Sequence, residues 1–147
     1  MRITQEADYA VRICRILDNA KEKTGAKEIS EQAYITQKFA LKILRKLVNA
    51  GIVTSHKGVY GGYTLTRDSN EVTLLDIFET IDGPVQITKC IDFEHMCSKN
   101  TDKSECKMHK IMCGINQNLK NDFGNITVRM LNDESISAED ILNRIEL

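Results

Sequence analysis

The segment that most restricts the fold lies at residues 52–66, where two short β-prone runs, Ile52–His56 and Tyr63–Thr66, flank Lys57-Gly58-Val59-Tyr60-Gly61-Gly62. Three glycines in six residues predict a hairpin tip, because glycine accepts the positive backbone angles of a tight reversal. Helical periodicity precedes it. Thr4 caps a first helix with apolar positions at Ala7, Ala10, Val11, Cys14, Leu17 and Ala20, and the polar run Lys21 to Gly25 ends it. A short second helix fits Glu28 to Ala33. After a turn at Tyr34-Ile35, a third starts with Thr36 as cap and continues through Phe39, Ala40, Ile43, Leu44, Leu47 and Val48 to Gly51. Helix, short helix, turn, helix and glycine-tipped hairpin in this order predict a winged helix-turn-helix: a mainly α fold with a small β-hairpin wing.

Such a module presents the start of its third helix to a DNA major groove and the hairpin to the neighbouring backbone or minor groove. Thr36, Gln37, Lys38 and Lys42 are the polar side chains available on that helix, with Arg45 and Lys46 extending its basic character, and Lys57 and Tyr60 stand on the wing. The charge distribution agrees. The formal net charge is only −1, yet residues 1–70 carry 12 Lys+Arg against 7 Asp+Glu and residues 71–147 carry 8 against 14, so a +5 half adjoins a −6 half. A basic head beside an acidic remainder is the pattern of a polyanion-binding module attached to something that does not touch the polyanion. A solvated amphipathic face is the ordinary explanation of a charge run; here helix order, glycine wing and local charge agree on DNA.

A fourth helix is predicted from Thr73, with Asp76 completing a capping box, to Asp82-Gly83-Pro84. Residues from Val85 to about Ser104 show no sustained period, and loops of that length in compact proteins are usually functional or disordered. A long helix begins near Ser104 with an apolar stripe at Met108, Ile111, Met112, Ile115 and Leu119. The stripe is a candidate homodimer interface, and packing against the first helix of the same chain is the alternative. Residues from Ile126 onward read as a short tail whose last helical turns open at Ser137. The expected organisation is a DNA-binding domain over 1–83, a cysteine-containing sensor loop over 84–104, and a dimerisation helix with tail over 105–147.

Cys90, Cys97, Cys106 and His109 follow a C-x6-C-x8-C-x2-H spacing. Thiolates are soft ligands for zinc, copper(I) or iron–sulfur clusters, and a helix N-terminus favours the negative charge of a thiolate-ligated cluster. The short C-x2–4-C knuckle preferred by zinc is missing, which tilts the reading toward a cluster. These three cysteines lie among Lys, Asp, Glu and Ser, whereas Cys14 sits on the apolar face of the first helix and is expected in the core. Cys113, seven residues past Cys106, is a spare ligand, a redox partner or interface packing.

At 147 residues the chain is long enough for a core without disulfides, and 41% hydrophobic with 28% charged residues is ordinary globular composition. Its apolar runs fall far short of the roughly 20 residues that cross a bilayer, and no secretory signal opens it. A cytoplasmic, reducing location is therefore expected, and five cysteines there are not a disulfide framework. No phosphate loop, nucleophile elbow or paired catalytic carboxylates support an enzyme.

The chain resembles the bacterial Rrf-two family of winged-helix regulators from Met1 to about Leu131. The resemblance rests on Met1-Arg2-Ile3-Thr4 with Asp8-Tyr9-Ala10-Val11-Arg12, on Leu44-Arg45-Lys46-Leu47 with Ala50-Gly51-Ile52-Val53, on the wing from Ser55 to Leu65, and on the three-cysteine loop after Gly83-Pro84. It implies a homodimer joined through the long C-terminal helix, and operator binding that responds to a two-iron or four-iron cluster. It also implies Cys90, Cys97 and Cys106 as three ligands, with the fourth supplied by His109 or by the partner subunit's Asp8. Three positions depart from the pattern. The cysteine gaps of six and eight residues exceed the common five, Lys57 stands where Arg is usual, and Leu41 stands where some relatives place a base-reading Glu. Operator sequence cannot be copied from relatives. The function expected is a homodimeric transcriptional repressor that binds a near-palindromic operator and senses iron–sulfur, redox or nitric-oxide status. The alternatives are a cluster-free thiol- or partner-controlled regulator of the same fold and a zinc-stabilised or electron-transfer interaction protein.

Overall fold

The computed structural model describes residues 1–92, 94–99 and 102–145. Helix α1 spans Gln5–Asn19, and the Thr4 side chain caps it by accepting from the Ala7 amide. Helix α2 spans Ala26–Ala33, two residues longer at its start than the periodicity indicates, because Gly25 occupies the cap position. Tyr34 then takes a left-handed conformation (φ 57°), which turns the chain into α3, Gln37–Asn49. Thr36 caps α3 by accepting from Phe39, and Gly51 (φ 76°) ends the segment as expected. Strands β1 (Val53–His56) and β2 (Gly62–Leu65) pair antiparallel with Val53 opposite Leu65 and His56 opposite Gly62. Helix α4, Leu74–Asp82, carries the predicted capping box between Thr73 and Asp76.

One core joins these elements. Ile13 and Cys14 of α1, Ile29 of α2, Ile43 and Leu44 of α3, and Ile77 of α4 are all fully buried in it. Burial pushes the Cys14 thiol up to about 12, so it stays protonated and inert, a packing residue as its place on α1 predicts.

The second half differs from the reading of its sequence in three places. The long stretch after Pro84 contains a 3₁₀ turn, Lys89–Ile91. Helix α5 begins at Lys107 rather than near Ser104 and runs to Asn125, with Cys106 as its cap. Residues after Ile126 hold one helix that the periodicity does not show, α6 (Val128–Asn132), which packs on α1, before α7 (Ala138–Arg144), whose start at Ser137 is as expected. Leu74 and Val128 donate to Ile126 and Val72 across a bridge between Thr73 and Thr127, and Val128 is fully buried. Asp18, its side chain only 3% exposed, receives the Arg129 guanidinium at 3.1 Å and the Asn132 amide at 2.7 Å. The physical reason is burial of charge: a carboxylate this enclosed needs partners, and α6 supplies both.

Helix α5 rests on α4 and on the 3₁₀ turn, while α6 takes the surface of α1. Its apolar stripe therefore divides. Met112 and Leu119 are half-buried, whereas Met108, Ile111 and Ile115 are exposed. Among the described residues no helix is long and apolar enough to cross a membrane.

Candidate nucleic-acid interface and cysteine site

The inner face of α3 is committed to the core through Ala40, Ile43, Leu44 and Leu47, which leaves Gln37, Lys38, Leu41, Lys42 and Arg45 on the outer face. Thr36 is exposed, but its hydroxyl oxygen is engaged as the cap, 3.2 Å from the Phe39 amide. Lys42 is 3.0 Å from Glu6 of α1 and lies over the Phe39 ring, 5.6 Å from its centroid. Lys46 belongs elsewhere: its ammonium lies 2.8 Å from the other Glu6 oxygen and donates to the Ile81 carbonyl at 3.3 Å. It braces α3 against α1 and α4.

Glu6 thus carries two lysines with a side chain only 17% exposed. Burial works to raise its pKa, and the ammoniums of Lys46 and Lys42 overcome that penalty, holding the carboxyl below its ordinary value of 4.5. The linkage sign follows. A lowered folded pKa gives stability that is present above the unfolded value and is lost as pH falls through the folded one. The stability difference between wild type and Glu6→Gln, followed by urea unfolding across pH, should be constant near neutrality and shrink once pH drops below about 4.5.

The wing projects Lys57, Val59 and Tyr60 into solvent, the last two being 97% and 91% exposed. Gly61 closes its tip by donating to the Gly58 carbonyl at 3.0 Å, and a Cβ there would meet the His56 carbonyl oxygen at 2.3 Å. Gly62 (φ 147°) passes against the backbone of Thr24, where a Cβ would sit 2.9 Å from its oxygen. That close approach lets Thr24 and Tyr63 exchange backbone hydrogen bonds at 3.1 and 2.9 Å, anchoring the hairpin to the α1–α2 connection. The role of Thr24 carries no local sequence signal, since its partner lies 39 residues away.

The cysteine region is arranged less tightly than its spacing leads one to expect. Cys90 lies in the 3₁₀ turn, its sulfur 3.7 Å from the Thr88 hydroxyl. Cys106 caps α5 and accepts from the His109 amide at 3.5 Å. One turn on, the Cys113 sulfur is 3.4 Å from His109 Nε2. Asp8 is on α1, paired with Arg12 at 2.8 Å. Among the described residues no three Cys, His, Asp or Glu side chains converge on one position for a metal ion. The donor chemistry fits a thiolate-ligated group, with three cysteines on one stretch and an imidazole beside the last. In metal-free protein, a thiol reagent should modify the partly exposed Cys90, Cys97, Cys106 and Cys113 and spare Cys14 until denaturant is added.

The loop start is fixed from both sides. Asn116 of α5, itself buried, accepts from the Ile87 amide at 3.0 Å and donates to the Val85 carbonyl at 3.0 Å. The Val85 amide donates to Glu79 of α4 at 3.1 Å, and Lys120 of α5 pairs with the same oxygen at 3.0 Å. Helices α4 and α5 therefore grip the chain just before Cys90.

Comparison with known proteins agrees with this geometry. The chain is 36% identical over 87 residues to the putative HTH-type transcriptional regulator Rv1287 of Mycobacterium tuberculosis, covering 58% of this chain and 54% of that one. It is 27% identical over 144 residues to the HTH-type transcriptional regulator IscR of Vibrio cholerae, covering 95% and 81%. The solved structure of CymR, the global cysteine regulator of Bacillus subtilis, superposes with a TM-score of 0.73 at 21% identity, covering 90% and 96%, and shares the fold. The chain spans between half and two thirds of the length of the first curated relatives it matches. The family model described as Rrf2, iron-dependent transcriptional regulator, matches residues 3–134, and with the winged head and the long α5 in place the chain belongs to the Rrf2 family of transcriptional regulators.

Proposed function

We propose that the protein is a homodimeric repressor that reads a near-palindromic DNA operator and senses iron–sulfur, redox or nitric-oxide status through a cluster held by its cysteines. The carrying observation is the union of a basic winged head with a thiol-bearing segment clamped between α4 and α5. Gln37, Lys38 and Lys42 meet the major groove with the capping Thr36 at the helix entrance, and Lys57 and Tyr60 meet the duplex from the wing. Met108, Ile111 and Ile115, exposed along α5, support burial against a second copy.

Cys90, Cys97 and Cys106 would hold the cluster, with His109 or the partner subunit's Asp8 as fourth ligand. A bound cluster would supply one-electron redox chemistry and iron-centred nitric-oxide reactivity, which thiols alone do not provide. The chain's own residues do the rest. Asn116 and Glu79 fix the backbone three and five residues before Cys90 to α5 and α4, so a change in the loop would move the joint between the head and the dimer helix, and with it the spacing of two recognition helices.

A second reading, control by thiol oxidation without a cluster, draws on the uncollected donors and on the contact of Cys113 with His109. Anaerobic purification separates the two. Coloured protein containing iron and sulfide, whose visible absorbance is lost in Cys97→Ser, supports the cluster. Colourless protein that takes up no iron on reconstitution refutes it and leaves thiol control.

A further inference from the structure

The outer face of α3 holds one side chain that the rest of its chemistry does not explain. Leu41 is 41% exposed and contributes nothing to the core, which α3 reaches through Ala40, Ile43, Leu44 and Leu47. Helical spacing surrounds it with Gln37 and Lys38 one turn before, Lys42 beside it and Arg45 one turn after. These residues together line a shallow groove on the surface of the helix. A single exposed leucine is ordinary on a protein surface. This one occupies the middle of the only face of α3 that the core leaves open, ringed by three cations that would draw phosphates close to it.

When a duplex docks there, Leu41 loses water and must meet something. Base edges in the major groove are hydrogen-bond donors and acceptors with one exception, the C5 methyl group of thymine. Leucine cannot satisfy a donor or an acceptor, so any other base edge left against it would be desolvated without a partner. Building on the assignment of α3 to the major groove, we infer that Leu41 is a specificity-determining residue that selects a thymine in each operator half-site by covering its methyl group. Lys38, Lys42 and Arg45 supply the flanking polar and phosphate contacts. The discrimination is of thymine against cytosine or uracil, whose edges lack the methyl.

The test begins with selection of bound duplexes from a random pool by the full-length protein. Each thymine of the enriched half-site is then replaced, one at a time, by deoxyuridine, which removes only the methyl. Burial of one methyl group corresponds to about a four-fold change in affinity, reaching about ten-fold in a close fit. One position should show that loss with wild-type protein, and Leu41→Ala should bind the thymine and uracil duplexes equally. Wild-type protein alone reports whether a methyl is read, and Leu41→Ala, an exposed position outside the core whose loss should leave the fold intact by circular dichroism, assigns the reading to this residue. Uracil tolerated at every position, or a uracil penalty that persists in Leu41→Ala, overturns the inference while leaving DNA reading intact. A selection that enriches no duplex overturns the DNA-reading assignment itself, and the role of Leu41 with it.

Discussion

Asn116→Leu should lower the free energy of unfolding by about 2–5 kcal/mol, a large fraction of the stability of a domain this size. Leucine matches asparagine closely in volume, so the change creates little cavity. What it removes is the pair of hydrogen bonds to the Val85 carbonyl and the Ile87 amide, both 3.0 Å long, made by a side chain that is 6% exposed. Two backbone groups in a water-poor site then lack partners, and each unmet group costs about 1–3 kcal/mol. Urea unfolding followed by circular dichroism measures the loss. A change below about 0.5 kcal/mol, the range of an unremarkable surface substitution, would mean that water or a shifted backbone replaces the clamp. The functional consequence is separate: the stretch leading to Cys90 would lose its tie to α5 but keep the Val85–Glu79 bond to α4.

The second large effect concerns α6. Replacing Arg129 and Asn132 together by alanine leaves the Asp18 carboxylate, 3% exposed, without the guanidinium at 3.1 Å and the amide at 2.7 Å. Removing partners from a buried charge costs about 3–5 kcal/mol; because Arg129 is itself 49% exposed, the lower end of that range, about 3 kcal/mol, is expected. Adding Asp18→Asn to the double variant should recover part of the loss, because it removes the stranded charge without restoring contacts. Recovery of nothing would assign the destabilisation to lost packing of α6 instead. Thermal and urea denaturation of the three proteins decide this.

These two features show where the sequence is legible and where it is not. Caps and periods are local, so Thr4, Thr36 and the Thr73–Asp76 box announce α1, α3 and α4 directly. The wing is legible for the same reason, since Gly58, Gly61 and Gly62 each occupy a conformation or a close approach that excludes a side chain. Helix α6 is too short to show a period, and its justification, Asp18, lies more than a hundred residues away. Lys46 has the spacing of a surface cation, yet Glu6 and the Ile81 carbonyl draw it inward. In the cysteine region, helical spacing foretells that Cys106, His109 and Cys113 lie along one side of α5. Whether Cys90 and Cys97 join them depends on the irregular segment between, and no local pattern specifies that. Asn116 was silent in the sequence because a polar residue inside an apolar stripe has meaning only once its backbone partners are known.

The charge arrangement connects the fold to its function. Thr24 and Gly62 hold the wing against the head, Glu6 and Lys46 brace α3, and Lys38, Lys42 and Arg45 of α3 and Lys57 of the wing are left exposed. The acidic half joins that head through α4 and α6, which pack on α1, and through α5, which packs on α4, so the small net charge conceals a basic head beside an acidic remainder.

The most direct measurement is equilibrium binding of the full-length protein to a duplex selected from a random pool and to a scrambled duplex of the same composition, across a salt series. Preference for the selected duplex by about 10³-fold or more is expected, with affinity for both falling steeply as salt rises and with Lys38→Ala flattening that dependence. An inverted repeat in the selected sequence would match two heads related by a two-fold axis. Equal affinity for the two duplexes, or binding indifferent to salt, would contradict the account.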